Sequence, residues 1–96
     1  MRLLGRCQLN SLKKQGKQAD TWLSVWQAEV LGAHWFERRD VVEQFPSVSE
    51  LGGDLFQFSV EPAETYAINV FVGFQRQIVL IKKVVRIESR AKTKGY

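Results

Sequence analysis

Residues 55–87 read LFQFSVEPAETYAINVFVGFQRQIVLIKKVVRI, and this stretch decides the fold. Phe56, Phe58 and Val60 alternate with Gln57 and Ser59, the two-residue period of a half-buried strand. Glu61-Pro62-Ala63-Glu64 reads as a turn. Tyr66, Ile68, Val70 and Val72 then fall on one face of a second strand, with Ala67, Asn69 and Phe71 on the other. Gly73-Phe74-Gln75-Arg76 turns the chain into a third strand, Gln77 to about Ile87, rich in Ile and Val. Connections this short favour an antiparallel meander over parallel crossovers.

Upstream the apolar period is helical. Trp22, Trp26, Val30 and Ala33 recur every three or four residues with Leu23 beside them, which predicts a helix over Ala19 to Ala33. Asp20 stands where an N-cap or first-turn acid is stabilising, and Gly32 lies near the other end. Arg39 to Gln44 can form a brief helix that stops before Pro46. Leu9 and Leu12 suggest a short helix within Arg6 to Gly16, with Gly16 ending it. Ser47 to Asp54, with Gly52-Gly53, reads as a loop, and Arg2 to Leu4 can add an edge strand. Helices first and strands after describe an α+β domain. Its N-terminal helices are expected on one face of a three- to four-stranded, mainly antiparallel sheet.

The 96 residues suit a single domain over 1–96, with about 86–96 as a loose basic tail. Hydrophobic residues make up 45% and charged residues 25%, which excludes disordered and collagen-like chains. The lone Cys7 allows no internal disulfide. Lys82 and Lys83 interrupt even the most apolar region, so no membrane span is expected. Met1 to Arg6 does not read as a signal peptide, and a cytoplasmic location follows as an expectation.

The net charge of +4 is segregated. Residues 1–18 carry +5, residues 19–64 carry −7 and residues 65–96 carry +6. Two basic ends around an acidic middle suit a polyanionic partner, and equally suit plain solvated faces.

Most standard chemistries are excluded by what the chain lacks. One His and one Cys leave no zinc site, and no metal or cofactor is expected. Gly52-Gly53 leads into a strand and is not a phosphate-cradling loop. Cys7 and His34 form a nucleophile–base pair only if the fold joins them; a small packing cysteine is the favoured reading. Trp22 and Trp26 read as core, and Trp35 is open between core and base stacking. By strand alternation Lys82 and Lys83 point to opposite faces, so one of them lies on the face that the helices leave bare. With Arg86, Arg90, Lys92 and Lys94 they offer a phosphate-binding surface, whose alternative is a solvated tail. Cleavage of RNA by in-line attack of a 2′-hydroxyl can proceed by positioning and charge stabilisation, without metal or histidine.

The order of these features resembles the HigB-type toxins of the RelE/ParE-like superfamily of bacterial toxin–antitoxin systems. The matching pieces begin with Arg2-Leu3-Leu4-Gly5-Arg6, Trp22-Leu23-Ser24-Val25-Trp26 and His34-Trp35. They continue with Asp40 to Ser47, Leu55 to Val60, Tyr66 and Ile81-Lys82-Lys83-Val84. The resemblance implies ribosome-dependent cleavage of mRNA as a metal-independent endoribonuclease, no cofactor, and inhibition by a helix-turn-helix antitoxin. It places Lys82 where the family has a strand arginine; Lys83, Arg86 and Arg90 are the accompanying candidates for RNA contact, and no catalytic residue is assigned. The chain departs from the family pattern at Ala67, where an arginine commonly follows the tyrosine, and over Val85 to Ala91, which lacks the usual His and Tyr-Asp. The alternative is a non-catalytic module of the same fold that binds RNA, the ribosome or an antitoxin.

Overall fold

Alternating segments such as those of residues 55–86 leave half their backbone groups unpaired until they meet other strands. In the computed structural model they assemble into a five-stranded sheet of order β1-β5-β4-β3-β2. The structure describes residues 1–12, 17–60 and 66–86. Along the chain these form β1 (Arg2–Leu4), a 3₁₀ turn (Arg6–Ser11), α1 (Lys17–Leu31), α2 (Arg38–Gln44), β2 (Ser49–Gly52), β3 (Leu55–Ser59), β4 (Tyr66–Gly73) and β5 (Ile78–Arg86). The fold class is α+β. β2 to β5 run as an antiparallel meander, and β1 joins the far side of β5 in parallel.

Five strands replace the three or four expected. The addition is β2, within the segment read as a loop. All four of its residues are exposed, so it shows no apolar alternation, and pairing of Ser49 with Gln57 and Glu50 with Phe56 holds it in place. The turn that follows uses Gly52 and Gly53 at φ +100° and +56°, conformations open chiefly to glycine. The short helix near the N-terminus is 3₁₀ rather than α, and α1 starts at Lys17 rather than Ala19. The expected stop at Gly16, the turn at residues 61–64 and the basic tail at 87–96 lie outside the described residues.

One face of the sheet carries the core. Leu3, Val79 and Val72 line up across β1, β5 and β4, and Ile81, Val70 and Phe56 across β5, β4 and β3. These residues are buried together with Leu23, Trp26 and Val30 of α1 and Val41 of α2. Aromatic rings bridge the layers. Trp22 stacks on Trp26 at 6.0 Å, and Trp26 meets Phe58 edge-on at 5.4 Å. Phe58 meets Phe45 at 5.0 Å, and Phe45 meets Trp35 at 6.1 Å. Trp26 and Trp35 are thus core, while Trp22 is half-buried beside them.

Local signals place the helix ends. Asp40 Oδ2 accepts the backbone N–H groups of Phe36 (2.8 Å) and Glu37 (3.2 Å), which fixes the start of α2. Arg38 reaches the carbonyl of Gly53 and pairs with Glu50, tying α2 to the β2–β3 hairpin. At the end of α1 the Met1 nitrogen donates to the carbonyls of Ala33 (2.7 Å) and Leu31 (3.4 Å), which binds β1 to the helix terminus.

Gly5 links β1 to the 3₁₀ turn at φ +81°, and a Cβ there would stand 2.7 Å from the backbone oxygen of Ile81. Gly53 also has positive φ but faces open space. Gly5→Ala is therefore expected to cost about 2–3 kcal/mol of stability. Gly53→Asn should cost under about 1 kcal/mol, because Asn tolerates the left-handed region. Urea denaturation of the two variants checks the contrast.

Candidate functional site

Because strand residues alternate, burying one face fixes what the other presents. Among the described residues, no helix side chain joins the second face. Its composition changes row by row across the strands. The first row is Arg2, Ile78 and Gly73. Next comes an apolar row, Leu4, Leu80, Phe71 and Leu55, running through β1, β5, β4 and β3. Leu4 and Leu55 at its ends are each 37% exposed, and Phe71 and Leu80 are half-buried. A polar row follows, made of Lys83, Asn69, Gln57 and Ser49. Within it Gln57 Nε2 donates to Asn69 Oδ1 at 2.9 Å, so the two amides hold each other in register.

The two lysines do not simply alternate. Asn69 pairs with Lys83 while the next residue, Val70, pairs with Ile81. Lys82 is therefore the extra residue of a β-bulge. This irregularity keeps Ile81 and Val84 both on the core face while Lys83 falls on the open one. Both lysines are exposed. Arg86 is exposed at the end of β5 and pairs with Tyr66, which shares the core side of the sheet. Lys83 and Arg86 thus belong to opposite sides by register, and Arg90 lies outside the described residues. The strand ladder brings Arg2 to the open face instead, a residue that sequence reading left aside.

The remaining candidates are scattered. Cys7 is exposed in the 3₁₀ turn, and His34 is exposed just after α1. Among the described residues no hydrogen bond joins them, and no three His, Cys, Asp or Glu side chains gather as a metal site. No helix is long and apolar enough to cross a membrane. Trp35 spends its indole N–H on Gln44 Oε1 at 2.9 Å, within the core rather than on a binding surface.

One concavity adjoins the open face. A cleft of about 530 Å³ sits beside the β4–β5 hairpin, bounded by Phe71, Gly73, Phe74 and Ile78, with Asp54 and Arg76 at its edges. Gln77 next to it has φ +57°, unusual for a residue with a side chain. Its Nε2 donates to the carbonyls of Trp35 (2.6 Å) and Phe74 (2.9 Å), which offsets the strain and pins the hairpin. No family model and no curated protein matches the chain.

The bulge makes a deletion test. Removing Lys82 leaves every other strand pair in place, so the variant should stay folded and lose on the order of 1 kcal/mol. Deleting Ile68, from a regularly paired strand, shifts β4 by one residue and turns its apolar side chains away from the core. That variant should fail to fold. Circular dichroism and thermal melts of both proteins decide the point.

Proposed function

We propose that the open sheet face binds single-stranded RNA. The observation that carries this reading is the apolar row with Phe71, flanked by Arg2 on one side and by Lys83 on the other. An unpaired base can lay its face on Phe71 and the neighbouring leucines, while cations on either side take phosphates. The exposed Lys82 and the basic end of β5 at Arg86 extend the positive charge along the same strand.

The order of motifs supports a toxin-like component of a bacterial type II toxin–antitoxin system, acting on mRNA at the ribosome in the cytoplasm. Under this proposal the arrangement is of RelE/ParE type, with a helix-turn-helix antitoxin as the inhibiting partner. Its chemistry is transfer of the phosphoryl group onto the adjacent 2′-hydroxyl. The 2′-oxygen attacks phosphorus, the 5′-oxygen leaves with a proton, and a 2′,3′-cyclic phosphate forms. Lys82 and Lys83 supply positive charge to the phosphate oxygens as they become more negative. A lysine serves there as a point charge, without the fork geometry of an arginine.

A second reading, binding without cleavage, is favoured by a specific feature. Among the described residues the open face carries no histidine, and Ala67 stands where the resembled toxins commonly have an arginine. Strand scission then separates the two readings.

Lys82→Ala/Lys83→Ala/Arg86→Ala should weaken binding of a single-stranded RNA measured by filter retention. The slope of log K against log salt should fall by about 2 in magnitude, at ~0.7 per lost phosphate contact. Primer extension on ribosome-bound message should show cuts with the parent chain and none with the triple variant. RNA binding without cuts supports the module reading; undiminished binding by the triple variant removes the lysine surface from the proposal.

A further inference from the structure

We propose that the cleft beside the β4–β5 hairpin is a base-selective subsite for a guanine nucleotide. The inference rests on the RNA-binding reading for its source of ligand, but not for its chemistry. Phe71, Phe74 and Ile78 supply apolar surface suited to the face of a flat heterocycle. Gly73 keeps the cleft open: a Cβ there would come 2.9 Å from Cγ1 of Ile78. Asp54 and Arg76 border the same space, yet among the described residues their side chains form no hydrogen bond or ion pair with each other or with anything else. Two opposite charges on one cleft, both without a protein partner, are available to a ligand that carries donors on one edge and an anion on another.

The carboxylate decides which base. Ionised Asp54 only accepts hydrogen bonds, and its two oxygens lie side by side. Guanine presents two adjacent donors, N1–H and the N2 amino group, and can fill both oxygens at once. Adenine, cytosine and uracil each offer one donor group on the corresponding edge. Arg76 is left to take phosphate, with the fork geometry that arginine brings to such oxygens. The cleft is also held in shape. The Val72 N–H donates to the Asp54 carbonyl at 2.9 Å, Phe74 packs edge-on against Phe56, and Gln77 ties the turn to Trp35. A preformed site loses less entropy on binding. From Ile78 to Lys83 the strand covers roughly 15 Å at ~3.3 Å per residue, so the cleft and the lysines engage different nucleotides of one strand.

The test is a titration of the isotope-labelled full chain, followed by amide NMR and fluorescence anisotropy. The probes are uridine hexamers with a single central guanosine, adenosine or cytidine, the plain uridine hexamer, and guanosine monophosphate alone. The guanosine hexamer should bind at least about fivefold tighter than the others, the lower end of what a good bidentate contact gives. It should shift the amides of Gly73 and Gln75. Asp54→Asn should abolish the preference while leaving affinity for the uridine hexamer unchanged, and Arg76→Ala should weaken all the hexamers alike. Equal affinity for the four hexamers, or a guanosine preference that survives Asp54→Asn, overturns the subsite. If no hexamer binds at low salt, the RNA reading fails, and the monophosphate decides the cleft separately. Shifts of Gly73 and Gln75 then support a site for free nucleotide, and their absence overturns it.

Discussion

Phe58 is the contact on which the rest of this fold depends. Its ring meets Trp26 of α1 on one side and Phe45, which ends α2, on the other. Trp22 extends the series at the first end and Trp35 at the second. Two helices and the sheet are therefore fixed to one another through a continuous run of rings. Edge-on pairs of this kind add roughly 0.5–1.5 kcal/mol each beyond the area that they bury. One cost is visible: the indole N–H of Trp26 is buried and finds no acceptor among the described residues. An unmet donor of this sort costs about 1–3 kcal/mol, so the ring is kept for its bulk and not for its polar atom.

A chain of this length supports one core, and a core on one side of a sheet leaves the other side without cover from α1 or α2. That constraint generates the functional surface. β4 shows the division plainly, since Ile68, Val70 and Val72 go inward while Asn69 and Phe71 go outward. On β5 the same division would put Lys83 into the core if alternation ran unbroken from Ile81. The bulge at Lys82 prevents this by adding one residue, and the cationic pair remains in solvent. The irregularity thus reconciles a doubled lysine with an apolar strand.

The fold class was legible because alternation and helical spacing are local properties. Phe56 to Val60 and Tyr66 to Val72 announce their faces in a handful of residues, and α1 does so through Trp22, Trp26 and Val30. What escaped was set by pairing across the chain. β2 is exposed along its whole length, so only its partner β3 makes it a strand. The bulge lies in the offset between β4 and β5 and leaves no trace in the string Ile81-Lys82-Lys83-Val84. Arg2 joins the open face because β1 lies parallel to β5, a contact spanning most of the chain. Asp54 and Arg76 carry no motif at all; they are neighbours only because two hairpins fold onto the same end of the sheet. Spacing could identify the lysines as candidates, but could not say which side of the sheet each would reach.

The cleft and the aromatic series are mechanically one object. Phe74 of the hairpin leans on Phe56, which is buried in the same core as Phe58. Gln77 holds a conformation that costs an ordinary residue about 1 kcal/mol or more, and its amide repays this by bonding Trp35 at the far end of the ring series. Strain persists only where the surroundings over-determine it. Here two hydrogen bonds and a buried tryptophan do so, and what they fix is the shape of a turn bearing Phe74 and Arg76. The interactions that stabilise the core thereby also set the rigidity of the surface beside it, so selectivity at that surface is drawn from packing already present in the fold.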